Sequence, residues 1–330
     1  MSGSSVLLCV HDQMPEVPAV AAALRDRWGV DPVLLDPSGY PTAYGLTLGY
    51  AAGAFACGWP DPPPMRPTAV WQGVHVGSQL PALDPDTRRT CVAASEVAMV
   101  GLLDSLDVFQ LDPYWSAARA ENKPYQLRLA PAFGLEVPQT IVTNDPGAVR
   151  ALAGRAGPLV TKMLVQPAMS GSGETPVVFT SALTEADLAD LDGLSLCPMI
   201  FQERVESALD VRVTIAGKRV FSASIDASAR SEVDWRDHHA RGGAAWTPCD
   251  LPPAIAGGLI AMLDHLGLNH GAFDLLVTPE GRHVFLELNP SGSFWFLGPE
   301  LAAPIASAIA DLLVDPGARR VPEREPLRRG

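Results

Sequence analysis

The segment Phe285-Leu-Glu287-Leu-Asn289-Pro290-Ser-Gly292 constrains this chain more than any other stretch. It is an apolar run that carries a carboxylate and a carboxamide two residues apart and then breaks at a proline. Alternate residues of a strand share a face, so Glu287 and Asn289 project side by side next to a backbone turn. Upstream, Gly271-Ala-Phe-Asp274-Leu-Leu-Val277 reads as a second strand with one acid, and Thr278-Pro-Glu-Gly281 joins the two as a hairpin. Asp274 taken alone fits a buried acid satisfied by backbone donors. Asp274, Glu287 and Asn289 together fit a hard cation such as Mg²⁺, which takes oxygen ligands and shares them with substrate phosphates.

At 330 residues the chain has room for two or three domains. Its net charge of -13 argues against non-specific nucleic-acid binding and makes each lysine or arginine in an apolar setting informative. The cysteines, Cys9, Cys57, Cys91, Cys197 and Cys249, are odd in number, far apart and form no Cys-x-x-Cys pair. That pattern fits reduced cytosolic thiols better than disulfides or zinc. No basic signal-like start and no apolar run of membrane length is present, so a soluble cytoplasmic protein without a membrane or nucleic-acid partner is expected.

A strand over 5–10, a helix over 16–28 closed by Gly29 and a strand at Val33-Leu-Leu35 give a β-α-β opening. The alternation over 44–50 suggests a third strand. No Gly-x-Gly-x-x-Gly follows the first strand, which speaks against a Rossmann dinucleotide site. Ala69-Val-Trp71 reads as a further strand and 86–106 as a long helix. The character changes near Asp112-Pro113. Helices are expected over 115–122 and from Lys123-Pro124 to Gly134, strands over 137–142, 159–162, 199–203, 211–215 and 219–225, and helices over 251–267 and 303–313. The charged tail 315–330 is expected to fray.

Lys123 at a helix start and Lys162 at a strand end flank the flexible Ser170-Gly-Ser-Gly173 loop. Singly, each lysine reads as a surface charge and the loop as a linker. Together they suggest a clamp on nucleotide phosphates with a loop closing over it. Gln202-Glu203-Arg204-Val205 follows an apolar strand and suits the presentation of backbone groups to an adenine edge. Asp210 suits ribose hydroxyls. Arg212 shares its face, and its planar fork suits a phosphate; the plainer alternative is an Asp-Arg surface pair. His238 and His239 read as a solvated loop, since neighbouring residues of a strand point oppositely.

The ordered set Asn122-Lys123, Gly134-Leu-Glu-Val-Pro138-Gln-Thr140-Ile-Val-Thr143-Asn-Asp145-Pro146, Thr161-Lys162, Phe201-Gln-Glu203, Asp210-Val-Arg212, Gly271-Ala-Phe-Asp274 and Phe285-Leu-Glu287-Leu-Asn289-Pro290 resembles the ATP-grasp superfamily. Within it, the Val-Pro-x-Thr-x-Val-Thr-Asn-Asp-Pro stretch and Asp234-Trp-Arg236 resemble the ATP-grasp maturases of ribosomally made peptides, the graspetide or microviridin-type synthetases. The resemblance covers roughly 110–300. It implies an α/β (α+β) ATP-grasp fold behind an N-terminal pre-ATP-grasp α/β domain, divided as 1–112, 113–202 and 203–330. It implies ATP and Mg²⁺ as cofactors. Lys123 and Lys162 match the family's phosphate-binding lysines, Gln202, Glu203 and Val205 its adenine hinge, and Asp210 its ribose acid. Arg212 matches the catalytic arginine beside the transferring phosphate, and Asp274, Glu287 and Asn289 the magnesium ligands. Departures are Ser293-Phe294-Trp295 in place of a glutamine-aromatic pair, Pro131 in a usually alanine-rich helix, and Gly73-Val-His75-Val-Gly77 where arginine pairs are common. Arg236 and Arg241 are candidates for holding a carboxylate-rich peptide.

The activity this implies is ATP-dependent macrocyclisation. Asp or Glu side chains of a ribosomal precursor peptide, leader plus core, would be activated as acyl phosphates and joined to Ser/Thr hydroxyls or Lys amines. A homodimer is expected. The alternative is a RimK-like ligase that adds an amino acid to a peptide or protein carboxylate. A non-catalytic nucleotide-binding regulator would have no need of the full metal set.

Overall fold

The computed structural model describes residues 5–51, 54–58, 67–73, 76, 80–165, 180–227 and 245–322. The 170–173 loop and the 234–241 segment, with Arg236, His238, His239 and Arg241, lie outside the described residues.

The chain opens with β1 (Val6–Cys9), α1 (Glu16–Trp28), β2 (Val33–Leu34), β3 (Thr47–Ala51), β4 (Ala54–Gly58), β5 (Ala69–Gln72), α2 (Pro85–Asp104) and β6 (Phe109–Leu111). Among the described residues β2-β1-β5-β6 form a parallel sheet. Every residue of β1 is buried because both faces are covered. Val6 and Leu8 meet Val17, Val20 and Leu24 of α1, while Leu7 and Cys9 meet Met99, Leu102 and Leu103 of α2. Gly29 ends α1 in the left-handed region, its N–H returning to the Arg25 and Leu24 carbonyls. The strand expected over 44–50 is instead β3, which among the described residues pairs only with β4, as a separate antiparallel ribbon. A parallel neighbour would need a long crossover; the short link from β3 to β4 permits a hairpin.

The middle of the chain carries α3 (Tyr114–Ala120), α4 (Lys123–Leu129), β7 (Thr140–Thr143), α5 (Pro146–Ala156), β8 (Leu159–Met163), β9 (Ser181–Ala182), α6 (Glu185–Ala189) and β10 (Met199–Glu203). Its antiparallel sheet runs β7-β10-β8-β9. Asn122 caps α4 by accepting the Tyr125 N–H at 3.0 Å, with Pro124 in the first turn. Pro131 has no N–H for the helical ladder, and the chain tightens there into a 3₁₀ turn that ends at left-handed Gly134. The strand expected from 137 starts only at Thr140, after Pro138, where the Thr140 hydroxyl bonds the Pro138 carbonyl.

The last part holds β11 (Leu209–Ala216), β12 (Arg219–Asp226), β13 (Thr247–Pro248), α7 (Pro253–Leu266), β14 (His270–Val277), β15 (His283–Asn289) and α8 (Pro299–Val314). The sheet order is β13-β12-β11-β14-β15, all antiparallel. Period-two alternation sorts β11: Val211, Val213 and Ile215 pack on Leu259, Met262 and Leu263 of α7, leaving Asp210, Arg212 and Thr214 for the other face. α8 lies against α1 and shares its apolar cluster, so the C-terminal helix seals the N-terminal sheet.

The tail is held by tertiary contacts through Val321 rather than frayed from 315. Asn269 accepts the N–H groups of Arg320 and Val321, Arg320 reaches Asp264 at 2.8 Å, and Arg319 lies 3.6 Å over the Phe109 ring. Residues 323–330 lie outside the described residues. No described helix is long and apolar enough to cross a membrane.

Asp112 joins the first and third units, its two carboxyl oxygens accepting the Asn269 and His270 N–H groups at 2.9 and 2.8 Å. Burial pushes its pKa up to about 7, against the two hydrogen bonds and Arg320. A carboxyl raised in the folded state contributes stability at low pH that is lost as pH rises through the folded value. The cost of Asp112→Asn, measured by urea unfolding, is therefore expected to be larger at about pH 5 than at about pH 8. An equal cost at both would show that Asp112 is ionised throughout.

Candidate active site

Three adjacent strands place one row of side chains at the floor of a cleft. Arg212 on β11 stands opposite Asp274 on β14, and Asp274 opposite Glu287 on β15. Direct cross-strand neighbours sit close enough to bond. Both Asp274 oxygens accept from Arg212 Nη1 at 3.0 Å. Asn289 Nδ2 donates to Asp274 Oδ2 at 3.0 Å and to Glu287 Oε1 at 3.5 Å. The ladder shifts register between Asp274 and Leu275, leaving Leu286 as an extra residue. This bulge is what allows Phe285 to enter the core while Glu287, of the same parity, lines the cleft.

Two further elements aim lysines at this row. Lys123 Nζ reaches Glu287 Oε2 at 2.9 Å, and Lys162 Nζ from β8 reaches the same oxygen at 3.4 Å. The cause of the first approach is Gln126, one turn further along α4 and hence on the same helix face. Its buried amide donates to the Leu288 carbonyl at 2.8 Å and accepts the Leu288 N–H at 2.9 Å. It thus satisfies both backbone groups of an edge-strand residue and clamps α4 to β15. Lys162 arrives from the middle sheet, so Glu287 also bridges the middle and last sheets.

The cleft has a volume of about 560 Å³. Lys162, Gln202, Glu203, Val205, Asp210, Asp274 and Glu287 line it, and Lys123, Arg212 and Asn289 bond directly to two of those. Every sequence-predicted site residue among the described ones is therefore gathered here. Val160, Leu276 and Leu286 add apolar walls between the two sheets, and Trp246 closes one side against Phe296. The hinge is fixed by its own backbone: the Glu203 N–H bonds the Gln139 carbonyl and the Arg204 N–H the Pro158 carbonyl, both at 2.8 Å. Gln202 turns its amide to Thr140 Oγ1 at 2.9 Å. Asp210 is 3 % exposed. The surface pairing of Asp210 with Arg212 that was the plainer alternative does not occur, since Arg212 is buried and pairs with Asp274.

The turn after β15 is built for Arg212. Its Nη2 donates to the Ser293 carbonyl at 3.1 Å. At Gly292 a Cβ would stand 2.6 Å from that Nη2 and 2.5 Å from Ala272 Cβ, so only glycine leaves room for the guanidinium. His270 supports the turn from behind through a 3.0 Å contact with the Pro290 carbonyl, and burial holds its pKa down at about 4.

The row carries two acids, Asp274 and Glu287, against three cations, Lys123, Lys162 and Arg212. Its charges are paired within the row with one positive charge left over, which suits a ligand that brings both signs and is anionic on balance. A divalent cation would take over the carboxylates and an oligophosphate the lysines, each making room for the other. The donor set fits such a cation: two carboxylates and one carboxamide are hard oxygen ligands. Asn289 presents its N–H₂ to the bare acids; turned over, the same amide presents its oxygen to a metal. Another cluster among the described residues, His11, Asp12 and Asp36, lies just past β1 and β2 and does not line this cleft.

The macrocyclase MdnC of Microcystis aeruginosa, solved with its precursor peptide MdnA, is 34 % identical over 94 % of this chain and 99 % of that one, with a TM-score of 0.81. An ATP-grasp ligase of Chryseobacterium gregarium described as RiPP-associated, solved with ADP and a leader and core peptide, is 27 % identical over 97 % and 99 %, with a TM-score of 0.86. A probable alpha-L-glutamate ligase of Shewanella amazonensis is 27 % identical over 74 % of this chain and 82 % of its own length. No family model matches the chain.

Proposed function

The chain belongs to the ATP-grasp superfamily, among the ligases associated with ribosomal peptide maturation, and on that footing we propose that it is a peptide macrocyclase of the graspetide type. It is an ATP-dependent ligase. Its substrate is read as a precursor peptide, leader plus core, whose Asp or Glu side chains it joins to Ser/Thr hydroxyls or Lys amines of the same peptide. The observation that carries this reading is the convergence of Lys123 and Lys162 on one oxygen of Glu287, in a row with Asp274, Asn289 and Arg212.

In this reading the Gln202–Val205 segment holds adenine and Asp210 the ribose, and Lys123 and Lys162 leave Glu287 to hold the phosphates. Asp274, Glu287 and Asn289 hold Mg²⁺. Mg²⁺, when bound, screens the phosphate charge against an incoming carboxylate. Arg212 faces the γ-phosphate, where its guanidinium stabilises charge in transfer. A peptide carboxylate oxygen attacks the γ-phosphorus and the bond to ADP breaks, giving an acyl phosphate. A hydroxyl or amine then attacks the acyl carbon, loses its proton, and phosphate leaves. The apolar walls of the cleft exclude water that would otherwise hydrolyse the acyl phosphate. Arg236 and Arg241 are proposed to hold the acidic core peptide. A homodimeric, cytoplasmic enzyme belongs to the same proposal.

The likeness to probable alpha-L-glutamate ligases favours a second reading, addition of an amino acid to a carboxylate. The two divide on what triggers ATP use. ADP release in the presence of Mg²⁺ is expected to require a precursor with both leader and core, since the leader raises the local concentration of the core. Release driven equally by free glutamate and a leaderless acceptor would support the second reading instead.

A further inference from the structure

Glu16, in the first turn of α1, is 2 % exposed and belongs to the N-terminal unit, yet it reaches the catalytic turn. Its Oε1 accepts the Ser293 hydroxyl, the Phe294 N–H at 3.2 Å and the Trp295 N–H at 3.4 Å. The Phe294 N–H and the Ser293 carbonyl are the two ends of one trans peptide unit. In a planar trans unit these groups point in opposite directions. One end is held by the Glu16 carboxylate; the other accepts Arg212 Nη2 at 3.1 Å. A single peptide plane is thus held between a buried carboxylate and a buried guanidinium.

We propose that Glu16 is the positioning residue through which the N-terminal unit sets the aim of Arg212. A carboxylate drawing on the N–H polarises the carbonyl at the far end of the unit and strengthens its bond to the guanidinium. The geometry does more. Arg212 is shared between Asp274 and the Ser293 carbonyl, and the second contact fixes the plane of the fork. His270 holds the start of the same turn through Pro290 and Glu16 holds its end, so the Gly292 clearance for Arg212 is set from both sides. Glu16 touches none of the reacting groups. Its N-terminal helix position also favours its negative charge.

The proposal rests on the reading of Arg212 as the group facing the γ-phosphate, and the test separates the two. In protein labelled with ¹⁵N-arginine, the Arg212 side-chain resonance is assigned by its loss in Arg212→Lys. Glu16→Ala is expected to move that resonance, and Glu16→Gln, which keeps an acceptor, to move it less. An unmoved resonance in a folded Glu16→Ala protein overturns the proposal. Calorimetry with AMPPNP·Mg²⁺ and ADP·Mg²⁺ then reads the consequence. Glu16→Ala is expected to cut the preference for AMPPNP about tenfold, roughly the worth of one charge-assisted hydrogen bond, with ADP affinity unchanged. In an Arg212→Lys background the further loss should vanish, whereas additive losses contradict action through Arg212. If the resonance moves but Arg212→Lys leaves the AMPPNP preference intact, the γ-phosphate reading of Arg212 fails and the positioning link stands. Ser293→Ala removes one donor yet keeps the clamped peptide; it is expected to move the resonance less than Glu16→Ala, and a larger movement would place the effect in the hydroxyl rather than the peptide plane.

Discussion

Glu287→Gln is expected to lower peptide-dependent ATP turnover by about 10³-fold, because it removes a proposed metal ligand from a site where, on that proposal, charge stabilisation carries most of the rate. Glutamine is nearly isosteric, so the β15 ladder and the Gln126 clamp on Leu288 stay in place. The variant also frees both lysines, which share Glu287 Oε2 in the wild type. Two partly buried ammonium groups without their carboxylate repel one another, and a phosphate chain becomes a better partner for them. Mg²⁺-free ATP is therefore expected to bind the variant more tightly than wild type by calorimetry, even as turnover with Mg²⁺ collapses. Turnover retained with Mg²⁺ supplied would remove Glu287 from the metal set. Collapse of both binding and turnover would mean that the substitution merely disrupts the cleft.

Arg212→Lys carries the second large effect. Lysine keeps the charge but has no fork, and the native guanidinium serves Asp274 through Nη1 and the Ser293 carbonyl through Nη2. One ammonium cannot hold both in that plane. Single-turnover ligation is expected to slow by about 10²- to 10³-fold, the usual scale for a lost transition-state contact, while ADP affinity changes by less than about threefold. Equal losses in both would assign Arg212 to nucleotide binding.

The fold and the site differ in how far sequence alone reaches them. Local periodicity carried α1 with its Gly29 end, the β11–β12 hairpin and the β14–β15 hairpin, because in each the burial pattern repeats at the spacing of the element. The pairing of Glu287 with Asn289 was legible for the same reason. The bulge at Leu286 was not: strict alternation puts Phe285 on the Glu287 face, and only core packing on α7 and Phe273 reveals the switch. Long-range partners were also out of reach. Nothing near Gln126 announces a clamp on Leu288, and nothing near Glu16 announces the Ser293–Phe294 peptide, since each bond spans well over a hundred positions. Asp112 was legible only as a change of character in the chain, not as the acceptor that ties two units together. The tail misled because its charged, proline-rich composition resembles a frayed end, whereas Asn269 and Asp264 hold it through Val321. Conversely, the residues that meet in the cleft were legible as one set because their order along the chain is itself informative, even though each motif is weak.

The proposed activity closes bonds within one peptide. Mass spectrometry of the precursor, incubated with the enzyme, ATP and Mg²⁺, tests it most directly. The expected product is lighter by one water for each bond formed and each ATP consumed, with methanolysis then separating esters from amides. A product heavier by an amino-acid residue would contradict it, because an intramolecular bond can only lighten the peptide.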